Sequence, residues 1–144
     1  MRARWLKPEF FRDRKVAAMG PIAALVYEAL WVEADDGGVA HADPDRVKAE
    51  MFFLWPDVTE DVVRHSLGTM HALGRVRFYQ LGDDLFAQIV NFTRHQLIHK
   101  PSKFRNLKNI NDLTPVVPEW CGTTSEDFRN QSPPRHLDTQ DTCF

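Results

Sequence analysis

The hydrophobic period of this chain changes once, at Arg75, and that change limits the folds open to it. Upstream, apolar residues recur at helical spacing: Ile22, Leu25, Val26, Ala29 and Leu30, then Val63, Leu67, Met70 and Leu73. From Arg75 to Leu81 polar and apolar residues alternate, Gly82-Asp83-Asp84 turns the chain, and Leu85–Phe92 makes a second β-rich run. An isolated hairpin is at best marginally stable in water, so this one has to close over the helices before it.

Punctuation sets the other boundaries. Pro8 suits a first helical turn, and Pro8–Met19 is expected as one short helix with Phe10, Phe11, Val16 and Met19 on its apolar side. Gly20-Pro21 ends it, and Pro21–Ala34 follows as an amphipathic helix that stops at Asp35-Asp36-Gly37-Gly38. Val39-Ala40-His41 has room for one short strand. Asp43 reads as an N-cap with Pro44 behind it, and that helix runs into Phe52, Phe53 and Trp55 before Pro56. Thr59 or Asp57 caps the next helix, Glu60 and Asp61 suit its first turn, and Gly74 ends it.

Helix, helix, strand, helix, helix, hairpin is the element order of a winged helix-turn-helix domain. The expected fold class is therefore α+β, mostly helical: a winged helix with an N-terminal helical extension over residues 1–110. Residues 111–144 are expected as an acidic, Pro-containing tail, in which Val116, Val117 and Trp120 dock and order fades beyond Gly122.

Composition excludes several classes. A chain 43% hydrophobic and 26% charged supports a packed core. The longest apolar run, Met51–Pro56, is far short of the ~20 residues that span a bilayer, and no signal-peptide core follows Met1-Arg-Ala-Arg-Trp. Cys121 and Cys143 are too few for a disulfide framework or a four-thiolate zinc site, so a cytoplasmic protein without membrane contact is expected.

The net charge of −2 hides an uneven distribution: residues 1–110 stand at +2 and the remainder at −4. Arg2, Arg4, Lys7, Arg12, Arg14 and Lys15 crowd the start, and Arg94, Lys100, Lys103, Arg105 and Lys108 fall in a stretch, 91–110, that has no acid. Clustered Lys and Arg neutralise phosphates, and interleaved aromatics stack on bases. Double-stranded DNA is the partner this suggests. Arg2, Arg4, Arg12, Arg14 and Lys15 would form an arm or clamp, and Lys100, Lys103, Arg105 and Lys108 would track a backbone after the hairpin. On the third core helix, Arg64 is placed for a guanine, with His65 and Thr69 beside it. Arg75 and Arg77 can reach a backbone from the first hairpin strand, or pair with acids across it. Glu60, Asp61, Asp83 and Asp84 repel phosphate where such a fold would approach DNA.

No cofactor, metal or enzymatic chemistry is expected. His95 and His99 have i, i+4 spacing but lack the Glu of an HExxH motif and a third ligand. Asp35-Asp36 and Asp83-Asp84 sit beside glycines at turns, where Asp bonds its own backbone.

Five separated stretches add a resemblance. Arg4-Trp-Leu-Lys-Pro-Glu-Phe-Phe, Leu30-Trp-Val-Glu-Ala-Asp-Asp-Gly-Gly, Lys48-Ala-Glu-Met-Phe, Ile89-Val-Asn-Phe and His95-Gln-Leu-Ile-His-Lys-Pro-Ser, in that order, resemble a group of phage and prophage proteins. These are replisome-organiser-like or replication-initiation proteins with an N-terminal winged-helix domain. The resemblance spans about residues 1–105 and implies DNA binding in replication initiation or its regulation. Longer members carry a C-terminal domain associated with helicase loading, for which residues 111–144 are too short. A transcriptional regulator would share the same DNA chemistry. The alternative from another class is a winged-helix protein–protein interaction module, meeting replication proteins through the tail or the Met51–Trp55 aromatics. No segment marks a dimer seam.

Overall fold

The computed structural model describes residues 3–121. Among them are six α-helices and three strands, giving an α+β, mostly helical fold with one small antiparallel sheet. The helices are α1 (Pro8–Arg12), α2 (Arg14–Met19), α3 (Pro21–Glu33), α4 (Pro44–Met51), α5 (Glu60–Ala72) and α6 (Phe92–His95). The strands are β1 (Val39–His41), β2 (Val76–Leu81) and β3 (Asp84–Ile89), in spatial order β1-β3-β2. No helix among the described residues is long and apolar enough to cross a membrane.

The single helix expected over Pro8–Met19 is two. Asp13 has an extended backbone (φ −75°, ψ 122°), and its carboxylate accepts the amides of Lys15 and Val16, so it caps α2 and breaks the run. Asp43 departs from expectation too. It stands at the N-cap of α4 but makes no capping bond; its carboxylate accepts the Leu85 amide of β3. Thr59 does cap α5, accepting from the Val62 amide.

The core lies between α3, α5 and one sheet face, where Val26, Leu30, Val63, Leu67, Met70, Val76, Phe78 and Ala87 are buried. Phe10 of α1 joins it through Tyr27 and Trp31, with ring centroids 6.3 and 5.3 Å away. In the register Tyr79 faces Phe86, and these two residues with Val39 form a second apolar patch sealed by Leu107. That patch explains why the alternation along β2 is imperfect: both sheet faces are covered.

The chain after α6 wraps the domain. It contributes Leu107, with Ile110 and Leu113 packed beside it, to the second patch. At Val116 it bridges Phe78 of β2, the Val116 amide donating to the Phe78 carbonyl at 2.8 Å. It then reaches α5, where Trp120 meets Phe78 edge-on and Cys121 covers Gly68. An exposed edge strand invites pairing with other chains, and Val116 occupies part of this one. Docking of Val116 and Trp120 matches expectation, whereas Val117, on the opposite side of the extended backbone, is exposed, and the packed part of the acidic segment extends to Cys121. The disorder expected beyond Gly122 falls outside the described residues.

Candidate nucleic-acid interface

The turn Asp35-Asp36-Gly37-Gly38 gathers both basic segments. Asp35 uses one carboxylate oxygen to accept the amides of Gly37 and Val39, the local bonding expected of a turn Asp. Its second oxygen accepts the Asn106 amide at 2.7 Å. Asp36 is buried and divides its carboxylate between the two flanks. One oxygen meets Arg4 Nη1 at 3.2 Å, and the other accepts the Ser102 amide at 2.6 Å.

Arg4 is thereby withdrawn from the expected DNA-binding set. Its side chain is 6% exposed and that of Asp36 1%. Nε donates to the Trp31 carbonyl at 3.0 Å, Nη2 donates to that of Ala34 at 2.6 Å, and the guanidinium lies 5.0 Å from the Phe92 ring centroid. The last carbonyls of a helix lack internal partners and favour a cation, so Arg4 serves as a C-terminal cap for α3. Next to it, Trp5 and Gln96 exchange two bonds. The Trp5 amide donates to Gln96 Oε1 at 2.8 Å and Gln96 Nε2 donates to the Trp5 carbonyl at 2.9 Å.

Arg75 is corrected in the same way. It is buried and pairs with the fully buried Asp13, Nη2 to Oδ2 at 3.1 Å. Pairing with an acid was the stated alternative, but the acid comes from the head of α2 and not from across the hairpin. Thr69 is also buried, its hydroxyl donating to the His65 carbonyl at 3.0 Å, so it cannot touch a phosphate. Arg64 is half-exposed and bonded to both Glu60 and Asp61. His65 and Arg77 are exposed. Burial of Gly68 under Cys121 narrows the open face of α5 further. With Asp83 and Asp84 exposed at the hairpin tip, α5 and the hairpin make a poor phosphate-binding pair.

The flanks hold the remaining exposed cations. Arg12, Lys100, Lys103 and Lys108 are exposed, and Arg14 and Lys15 are half-buried; Arg2 lies outside the described residues. Arg105 is half-buried over Gly37, with Nη1 donating to the Ser102 and Phe104 carbonyls. It fixes the loop more than it faces solvent. Burial holds the His95 imidazole below the usual value, and Lys7, Arg94 and Arg75 lower it further against the opposing Asp13.

Sequence reasoning missed Asp13, Asp36 and Gln96 as organising residues. Asp13 was discoverable, because Asp before Arg-Lys-Val is an N-cap pattern. Gln96 left no signal, since its partner is a main chain 91 residues away. No family model, curated protein or solved structure matches the chain.

Proposed function

We propose that this chain is a winged-helix DNA-binding protein, acting in replication initiation or its regulation, that holds phosphates on its two joined flanks. One observation carries the reading: two basic segments, anchored at Arg4 and Ser102, are fastened to opposite oxygens of the same Asp36 carboxylate. In this reading Lys100 and Lys103, exposed beside the join, form the phosphate-binding face, and Arg4 is buried in holding it together. The element order, with β1 lying against β3 of the hairpin, supports the winged-helix assignment, and the five resembling stretches support the replication context. Four of those stretches meet in space, since Arg4, Trp5, Asp36, Phe92 and Gln96 belong to them.

The test is a salt titration of duplex DNA binding. If about five phosphates are neutralised, the logarithm of affinity should fall with the logarithm of salt at a slope of about −4 to −5. Replacing Lys100, Lys103 and Lys108 together by Ser should reduce that slope by about 3 without lowering thermal stability. No binding at low salt would reject the reading.

A second reading has its own observation. Phe53, Leu54 and Trp55 are 67%, 76% and 49% exposed in the α4–α5 loop, which Lys48 fixes by donating Nζ to the Phe52 and Trp55 carbonyls. Contiguous exposed apolar residues mark interaction sites. No basic residue falls between Lys48 and Arg64, while Asp57, Glu60 and Asp61 do, so the fitting partner is a protein with an apolar cleft rimmed by Lys or Arg.

A further inference from the structure

Two large rings stand exposed on the two basic segments although their main chains are pinned. Trp5 is 58% exposed and Phe104 69%. Trp5 is held at both amide and carbonyl by the Gln96 side chain. The Phe104 amide donates to Ser102 Oγ at 3.1 Å, and its carbonyl accepts from Arg105 at 2.9 Å. Their neighbours Arg4 and Ser102 share Asp36. A ring left in water contributes little to folding, yet here hydrogen bonds fix the main chain that carries each ring.

We infer that this face binds single-stranded DNA, with Trp5 and Phe104 as stacking platforms for bases and Lys100, Lys103 and Lys108 along the phosphates. In duplex DNA the base faces are already stacked on one another, so exposed rings find no partner there. Unpaired bases present both faces, and every base has one, which makes such contacts tolerant of sequence. No acid falls within residues 91–110, and Asp36, bonded to Ser102 beneath them, is paired with Arg4, which limits like-charge repulsion along this strand path. The α5 and hairpin-tip surfaces lack that property, carrying Glu60, Asp61, Asp83 and Asp84. The inference rests on the flanks being the DNA-contacting face, and it adds which form of DNA they prefer.

The experiment compares the full chain binding to an oligothymidylate of about 12 nucleotides with its binding to a duplex of similar length. The paired substitution Trp5→Ala and Phe104→Ala should weaken oligothymidylate binding by about 30-fold or more, the effect of losing two stacked bases. Duplex affinity should change less than about threefold, and thermal unfolding should stay close to the parent, since both rings are exposed. Trp5→Phe gives a second readout. It should retain binding while abolishing quenching of tryptophan fluorescence by oligothymidylate.

Unchanged oligothymidylate affinity in the paired variant, with lysine-dependent duplex binding intact, would overturn the stacking inference and leave the proposed function standing. Equal losses on both ligands would overturn it as well, because rings that stack on unpaired bases must discriminate. Quenching that survives Trp5→Phe would remove Trp5 from the site. Failure of the parent chain to bind either ligand at low salt would reject both proposals together.

Discussion

Gly38 carries two constraints at once. Its φ of +82° lies in the region that L side chains rarely adopt, and a Cβ built there would stand 2.5 Å from Cβ of Phe92. Gly74 shares the positive φ, at +72°, but a Cβ there would meet nothing within 4 Å. The pair separates backbone strain from steric conflict. Gly74→Ala should cost about 1–2 kcal/mol from backbone conformation alone. Gly38→Ala should cost about 2–5 kcal/mol, because overpacking adds to the strain. Chemical denaturation of both variants checks this, and equal costs would mean that Phe92 moves aside freely. The glycine was legible as a turn signal in Asp35-Asp36-Gly37-Gly38. That α6 presses a phenylalanine onto it was not, because close approach between residues 54 positions apart leaves no periodic trace.

Among elements, those with their own local code were the ones the sequence disclosed. α3, α5, β1 and β2 follow from period, caps and turn residues, and their boundaries fall within a residue or two of expectation, whereas β3 ends at Ile89, three residues short of the expected Phe92. α6 has no counterpart among the expected elements, since Phe92 continues the apolar pattern of β3 and only the left-handed Asn91 (φ 61°) marks the break. The candidate site was half legible. Lys100, Lys103 and Lys108 remain exposed, whereas Arg4 and Arg75 are drawn inside by Asp36 and Asp13. Charge counting cannot distinguish an arginine that faces water from one that caps a helix. The 113–121 segment tests how firmly a locally uncoded element is held. Burial against α5 pushes the Cys121 thiol up to about 12, which leaves little thiolate at neutral pH. In a Cys143→Ser background, Cys121 should alkylate at pH 8 at least about tenfold more slowly than a peptide thiol of ordinary pKa. Trp120→Ala, which removes the edge-on contact with Phe78, should close most of that gap. A fast-reacting thiol in the parent chain would mean that the segment opens readily.

At the scale of the whole molecule the decisive quantity is where charge lies relative to the joined flanks. The chain totals −2, and the acids Glu126, Asp127, Asp138 and Asp141 against Arg129 and Arg135 account for all of it within residues 122–144. Residues up to 121 are therefore balanced overall, yet they include a stretch from 91 to 110 with five Lys and Arg and no acid. Long-range repulsion from the distal acids acts on a polyanion through solvent and decays over a Debye length of about 10 Å at 0.1 M salt. Replacing those four acids by their amides, in the full chain, should raise duplex and oligothymidylate affinity alike by several-fold at about 0.05 M salt. The gain should vanish near 0.5 M, where the Debye length has fallen to about 4 Å. A stacking contact would respond differently, because ring–base contact energy persists when Coulomb forces are screened. Measuring the four-amide chain and the Trp5/Phe104 paired variant across the same salt series thus resolves two contributions to one interface. The amide effect should collapse with added salt, and the ring effect should hold.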